Sequence, residues 1–306
     1  MHPVLFTIPG LDKDVHIYGV MIALAAIMVA HFSTKEAIKK GLPVDFFNDL
    51  VFWVLVAGIV GARLEYMRVN WSEFSGDMGA AVRIWEGGLV FYGGMIAALL
   101  AFWYVCRTRK VPVLLAFDLL IPYVPFGHAL GRLGCFAAGC CYGGRTDSAM
   151  AVHFPIDSFP GRDQAAGFIR SDEGKFFMQD YYQGPVPGDS LQVFQDYLAH
   201  SALPIEAHGL HATQLYAVVY LTLLGFFFLW LKKRHTFPGQ MLVAYLATYP
   251  ILRSINEMFR GDAERGYFMG GPLSNAQFIS LLIVAVAGII WWNVGRKSKV
   301  ASDAKG

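Results

Sequence analysis

QLYAVVYLTLLGFFFLWL, residues 214–231, runs without a charged side chain and is closed at once by Lys232-Lys233-Arg234. A helix needs about 20 mostly apolar residues to cross the hydrocarbon core of a bilayer, so this stretch is a membrane span with a basic stop. Six further runs of similar size lie on either side of it: 15–32, 50–67, 89–106, 111–133, 239–255 and 275–294. The 111–133 run holds Pro112, Pro122 and Pro125. It is therefore expected to be kinked or partly unwound, which a bilayer tolerates only against protein or a wet cavity. Composition agrees, because the 306 residues are 55% apolar and only 16% charged, too greasy for an ordinary soluble domain. A net charge of +2 without a dense basic stripe excludes a nucleic-acid binder, and four cysteines exclude a disulfide-rich secreted scaffold. The opening residues, MHPVLFTIPG, lack the basic start of a cleavable signal peptide, so the first apolar run is expected to be retained as a span.

Loop charge orients the seven spans, because short loops rich in Lys and Arg stay in the cytoplasm. The connections after spans 1, 3, 5 and 7 (33–45, 107–110, 232–235, 295–306) hold 13 of the 25 basic residues in 33 positions. The opposite connections (1–14, 68–86, 134–213, 256–274) hold 9 in 132. The fold class expected is therefore an all-α integral membrane protein of seven transmembrane helices, amino terminus outside and carboxyl terminus inside. Residues 1–306 form one membrane domain. Residues 144–210, with nine acidic and four basic side chains and no span-length apolar run, are expected to be an extracytoplasmic head inserted between helices 4 and 5. Residues 68–86, which include Trp71 and Trp85, read as an interfacial arm, because Trp favours the headgroup level.

A charge inside a span costs at least about 2.5 kcal/mol, so intramembrane ionisable groups are functional candidates. Here they gather near the outer ends: Arg63 and Glu65 in span 2, His128 and Arg132 in span 4, Arg253 and Glu257 in span 6. His128/Arg132 and Arg253/Glu257 are i, i+4 pairs sharing a helix face. Three arginines at one membrane depth suggest an anionic ligand, and a phosphate matches the guanidinium fork. For Arg63 the simpler alternative is snorkelling to headgroups beside its neighbour Glu65. Glycine accompanies these charges: Gly87-Gly88 and Gly93-Gly94 flank the start of span 3, and Gly127, Gly131 and Gly134 mark the end of span 4. Such glycines suit either an anion held on backbone amides or close helix packing.

The chain resembles the bacterial prolipoprotein diacylglyceryl transferases. The resemblance rests on Gly131-Arg132-Leu133-Gly134 followed by Gly139 and Gly143, and on Trp85-Glu86-Gly87-Gly88-Leu89 leading to an aromatic-Gly-Gly. It continues in His16-Ile17-Tyr18-Gly19, in Asp118 before Pro122 and Pro125-Phe126-Gly127, in His211-Ala212-Thr213-Gln214-Leu215-Tyr216, and in Arg253-Ser254-Ile255-Asn256-Glu257 followed by Phe259-Arg260. These run in order over nearly the whole chain. The resemblance implies a multi-pass enzyme of the bacterial cytoplasmic (inner) membrane with its site on the periplasmic side. Diacylglyceryl would pass from phosphatidylglycerol to the lipobox cysteine of a prolipoprotein signal peptide, and glycerol phosphate would leave. Arg132 and Arg253 match the family's two essential arginines; Tyr18, Gly93, Gly143 and Glu257 fall on site positions, and Arg63, Gly94 and His128 join the candidate substrate-binding set.

Three departures bear on mechanism. Tyr92 stands where the family usually has the histidine favoured as base for the thiol, and a phenol near pKa 10 is a poor base at neutral pH. His211, His128 and Glu257 are the other candidates, with His211 first because it opens span 5 inside a family motif. Cys135 and Cys140 replace the family's usual Asn and acidic residue, and Cys141 follows. On an oxidising outer face a Cys135–Cys140 or Cys135–Cys141 disulfide could pin the turn, and these cysteines are read as structural. No metal is expected, since no fourth ligand is spaced to complete a zinc site, although His153 is near in sequence. No cofactor is implied. The 144–210 segment is also longer than is typical of the family. Two other functions would share these features: a transporter of an anionic solute, disfavoured by the absence of repeat symmetry, and a catalytically silent paralogue that binds lipid or lipoprotein.

Overall fold

The structure, a computed structural model, describes residues 4–9, 13–74, 76, 78–83, 88–156, 158–182, 186–200, 208–260 and 274–303. Trp85, Glu86 and Gly87 of the expected arm lie outside these residues, as do most of the 256–274 connection and Lys305. Helices dominate: α1 (Ile17–Lys39), α2 (Phe46–Val69), the short α3 (Trp71–Phe74), α4 (Phe91–Thr108), α5 (Val113–Leu120) and α6 (Val124–Ala138). Then come α7 (Phe159–Arg170), α8 (Asp172–Tyr181), α9 (Ser190–His200), α10 (Thr213–Lys232), α11 (Gln240–Glu257) and α12 (Asn275–Asp303). Two short antiparallel pairings interrupt the all-helical expectation, β1 (Val4–Ile8) with β2 (Lys13–His16) and β3 (Ala151–Val152) with β4 (Leu210–His211).

The protein is an all-helical integral membrane protein. Among the described residues five helices are long and apolar enough to cross a bilayer: α1, α2, α4, α10 and the Asn275–Trp292 part of α12. A sixth crossing is made if α5 and α6, bent by 57° at their junction, form one span. The break falls at Ile121–Tyr123, around Pro122, where a missing N–H and a ring clash stop the helix. The remaining expected span is α11, which is a helix but carries Pro250, Arg253, Asn256 and Glu257 and is correspondingly less apolar.

The chain divides into two compact units, residues 1–25, 125–226 and 245–292, and residues 26–124, 227–244 and 293–306. In the second, α2 and α4 pack along a stripe of small residues. A Cβ on Gly61 would stand 2.3 Å from Ala97 Cβ and 2.6 Å from the Gly93 carbonyl, and one on Gly94 2.9 Å from the Gly58 carbonyl. Phe46, Phe47, Leu50, Phe102 and Val105 fill one end of this unit. Asp118 is buried there and accepts the backbone N–H groups of Gly239 (2.6 Å) and Met241 (3.0 Å), capping the first turn of α11. Gly61→Ala should therefore destabilise the detergent-solubilised protein by about 1–3 kcal/mol, the cost of overpacking, whereas Gly19→Ala, which meets nothing within 4 Å, should not. Thermal unfolding of the two variants checks this, and equal midpoints would remove the packing explanation.

In the first unit, the described part of 144–210 holds α7, α8 and α9. Ser158 and Ser171 cap α7 and α8, accepting from Gly161 (3.4 Å) and Gly174 (3.0 Å). Phe168, Phe177, Phe194 and Leu198 close a small core of their own, so the segment is built from amphipathic helices rather than from irregular loop.

Candidate active site

Arg132 lies on α6, half-buried, and donates no hydrogen bond to any described residue. Its electrostatic neighbours are Tyr220 on α10, Tyr249 on α11, and Cys135 and Cys141. Tyr220 in turn senses both Arg132 and Arg253, so the two arginines share a neighbourhood, with the phenol between them in electrostatic terms. The Tyr220 hydroxyl is buried and has no hydrogen-bond partner among the described residues. Arg253 is different, because its Nη1 is paired with Glu257 Oε2 one turn on, and the Glu257 side chain is only 4% exposed. Among the described residues, then, Arg132 keeps its guanidinium donors unused while Arg253 is paired.

His128, one turn before Arg132, faces a tyrosine pair. Its Nδ1 is 3.0 Å from the Tyr245 hydroxyl, and its ring lies 5.4 Å from that of Tyr249. Tyr18, on the first turn of α1, is within electrostatic reach of Arg132 and of Cys135, Cys140 and Cys141. The crossing of α1 and α6 needs a residue without a side chain, since a Cβ on Gly134 would stand 3.1 Å from Tyr18 Cα.

After Ala138 the chain stops α6 in a Schellman turn. Gly139 takes φ +72°, its N–H meets the Phe136 carbonyl (3.1 Å), and the Cys140 N–H returns to the Cys135 carbonyl (3.1 Å). That geometry folds Cys140 back over Cys135. Cys141 then adopts φ +62°, a left-handed conformation uncommon outside glycine. Thr213 Oγ1 (2.6 Å) and Gln214 Nε2 (2.7 Å), from the start of α10, hold the carbonyls of Cys141 and Cys140. The expected disulfides are not formed. All four cysteines are free thiols, and Cys135, Cys140 and Cys141 bring their sulfurs within 4.8 Å of one another. Hydrogen bonds from Cys135 and Cys140, with Arg132 and Arg260 adding positive potential, hold the Cys141 thiol below its ordinary value; Cys140, bonded to Cys135 and Cys141, is raised.

Gly143 is the junction of this turn with His211 and the end of α11. Its N–H donates to the His211 carbonyl (2.8 Å), the next residue, Gly144, donates to the Phe259 carbonyl (2.9 Å), and a Cβ at Gly143 would lie 2.5 Å from both His211 Cβ and Phe259 O. Glycine is thus required there for close backbone approach. The His211 ring is half-buried, with Nδ1 3.0 Å from the Tyr216 hydroxyl and the Phe259 ring 5.3 Å away.

Four expected site residues sit in the other unit and are otherwise engaged. Arg63 is buried, and its guanidinium donates to the main-chain carbonyls of Ala80 (2.5 Å), Ala81 (3.0 Å) and Gly88 (3.0 Å), over the rings of Tyr66 and Phe74. It ties the arm to α2. Gly93 and Gly94 are contact points of α4 on α2, where helix packing accounts for them. Tyr92 is 56% exposed and meets Phe91 edge-on. Arg63→Ala should leave those carbonyls without donors, at about 1–3 kcal/mol for each buried one. Limited proteolysis should then cut within 75–88 faster than in the wild type, and unchanged cleavage would refute the tie.

Sequence reasoning missed Tyr220, Tyr245 and Tyr249. Each stands in an apolar helix where tyrosine passes for an ordinary span residue, and only the buried, unpartnered hydroxyl of Tyr220 separates it from packing aromatics.

The chain is thus an all-helical membrane protein in which Arg132 and Arg253 share the neighbourhood of Tyr220. The profile of the prolipoprotein diacylglyceryl transferase family matches residues 3–293, nearly the whole chain, and the chain belongs to that family. It is similar to a phosphatidylglycerol--prolipoprotein diacylglyceryl transferase of Clostridium tetani, with 29% identity over 299 residues, 98% of this chain and 100% of that one. A second relative, phosphatidylglycerol--prolipoprotein diacylglyceryl transferase 2 of Clostridium perfringens, is 28% identical across 97% of this chain and 96% of its own. The Xylella fastidiosa transferase of the same name is 29% identical over 91% and 88%.

Proposed function

We propose that this chain transfers the diacylglyceryl group of phosphatidylglycerol to the lipobox cysteine thiol of a prolipoprotein signal peptide, the first step of lipoprotein maturation. The observation that carries the site assignment is Arg132, half-buried and making no hydrogen bond among the described residues, beside the Tyr220 hydroxyl, which makes none among them either. Arg132 and Arg253 hold the phosphodiester, Tyr220 donates to one of its oxygens, and the Glu257 carboxylate orients Arg253. The thiol sulfur attacks the glycerol carbon, the carbon–oxygen bond to phosphorus breaks, and glycerol phosphate leaves with the electron pair. Two positive groups fixed where that charge develops lower the barrier. His211 takes the thiol proton. Seven spans, with the amino terminus outside, put the site on the periplasmic side of the inner membrane, where both the anionic lipid and the emerging signal peptide are met. The test incubates purified protein with phosphatidylglycerol vesicles and a lipobox peptide. Mass spectrometry should find diacylglyceryl added to the cysteine peptide and none on its serine counterpart. A folded protein that leaves the cysteine peptide unmodified overturns the assignment.

A further inference from the structure

Three thiols within 4.8 Å of one another at the end of α6 are more than a packing accident, because backbone features converge to put them there. The Schellman turn at Gly139 brings Cys140 back to Cys135, and the left-handed Cys141, held through its carbonyl by Thr213, adds the third sulfur from the same side. A disulfide would use two of these sulfurs and strand the third. A d¹⁰ metal ion uses all three: with zinc–sulfur bonds of about 2.3 Å, tetrahedral ligands lie about 3.8 Å apart, inside the observed limit. Among the described residues no fourth His, Cys, Asp or Glu joins the group. That pattern, three protein ligands and one open position, is the one catalytic zinc sites use, whereas structural sites are closed by four.

We propose that Cys135, Cys140 and Cys141 bind Zn²⁺ and that the open fourth position takes the acceptor thiol of the substrate as a thiolate. The inference rests on the transfer reaction above and names how its nucleophile is made. Zinc with three thiolates carries one net negative charge, and a fourth thiolate makes two. Arg132 and Arg260 lie within electrostatic reach of Cys141 and offset that charge. Arg132 is also the group assigned to the phosphodiester, so one side chain stands beside both nucleophile and leaving group. The incoming thiol displaces zinc-bound water and gives its proton to His211. Its sulfur forms the bond to the glycerol carbon as the carbon–oxygen bond breaks and the electron pair leaves on glycerol phosphate. The neutral thioether is a weak ligand, so water replaces it and no oxidant or reductant is needed. Metal activation would also remove the need for a strong base at Tyr92, which a phenol cannot supply at neutral pH.

The test uses the full-length protein in detergent. Zinc content is measured, and the metal is then exchanged for Co²⁺, whose sulfur-to-metal charge-transfer band and tetrahedral visible bands report thiolate ligation. One zinc per chain is expected, and its loss in the Cys135→Ser/Cys140→Ser/Cys141→Ser variant. Adding the lipobox cysteine peptide without lipid should shift the cobalt bands, and the serine peptide should not. Stripping zinc from the wild type with a chelator should lower transfer by about 10²-fold or more, the scale of a lost activating group, with recovery on adding zinc. That arm does not depend on the variant folding. Zinc-free wild type that transfers at full rate, or thiol counting that finds two of the three sulfurs oxidised and unable to take cobalt after reduction, overturns the metal site while leaving the transferase assignment standing. Cobalt bands that the cysteine peptide does not shift overturn the thiol position. Zinc bound and bands shifted without any transfer would sink the transferase assignment instead.

Discussion

Arg132→Ala is expected to lower diacylglyceryl transfer by about 10²–10³-fold, the scale for removing a preorganised donor from a developing oxyanion, while the protein remains folded in the membrane. The structure explains why the loss should be large and confined to function. Arg132 makes no hydrogen bond to the described residues, so its removal strips no structural partner. Arg63→Ala offers the contrast, since that guanidinium is committed to main-chain carbonyls, those of Ala80, Ala81, Arg83 and Gly88 among them, and should cost stability before activity. Arg132→Lys should rescue poorly, because an ammonium lacks the bidentate fork that spans two phosphate oxygens. Arg253→Ala should also lower turnover, but with an added cost, for it removes a cation paired with the buried Glu257 carboxylate. Kinetics on the purified variants, with circular dichroism to confirm helix content, separate the cases. Arg132→Ala with near wild-type turnover would mean that the phosphate is held elsewhere.

The fold was readable where one physical constraint dominates. Runs such as 214–231 can only be spans, and Pro122 announced the break between α5 and α6 before any coordinates did. The sixth run was weaker because α11 carries Pro250 and Arg253 within it and Asn256 and Glu257 at its end, which dilute the apolarity of the helix. Arg132 and Arg253 could be singled out because a charge in a span is costly wherever it points. Arg63 met the same criterion and serves structure instead, since sequence does not show which carbonyls a guanidinium will find. The glycines divided in the same way: Gly93 and Gly94 proved to be helix contacts, and Gly143 a backbone junction. The cysteines were legible only in part: the Schellman turn that Gly139 encodes brings residues 135 and 140 together, whereas the approach of the Cys141 sulfur depends on a left-handed backbone that sequence does not announce.

His211→Ala should cost about 10²–10⁴-fold, the range for a positioned general base, whereas Tyr92→Phe should cost only the worth of one neutral hydrogen bond, about 1 kcal/mol or several-fold in rate. The geometry of His211 makes its role as base depend on the tautomer: its Nδ1 is 3.0 Å from the Tyr216 hydroxyl, and if the phenol donates there, Nδ1 is the acceptor, Nε2 carries the hydrogen and neither nitrogen is free to take a proton. If His211 donates instead, Nε2 is left free to accept the thiol proton. Tyr216→Phe distinguishes the two, because loss of the partner should damage activity only if Tyr216 fixes the productive tautomer. Tyr92 is 56% exposed, and its ring meets Phe91, away from the residues gathered around Arg132. Restoring the family's usual residue as Tyr92→His should therefore be tolerated or raise the rate. Transfer measured across pH 6 to 9 checks the set. A Tyr92→Phe variant dead at every pH, beside a nearly normal His211→Ala, would move the proton to the other residue.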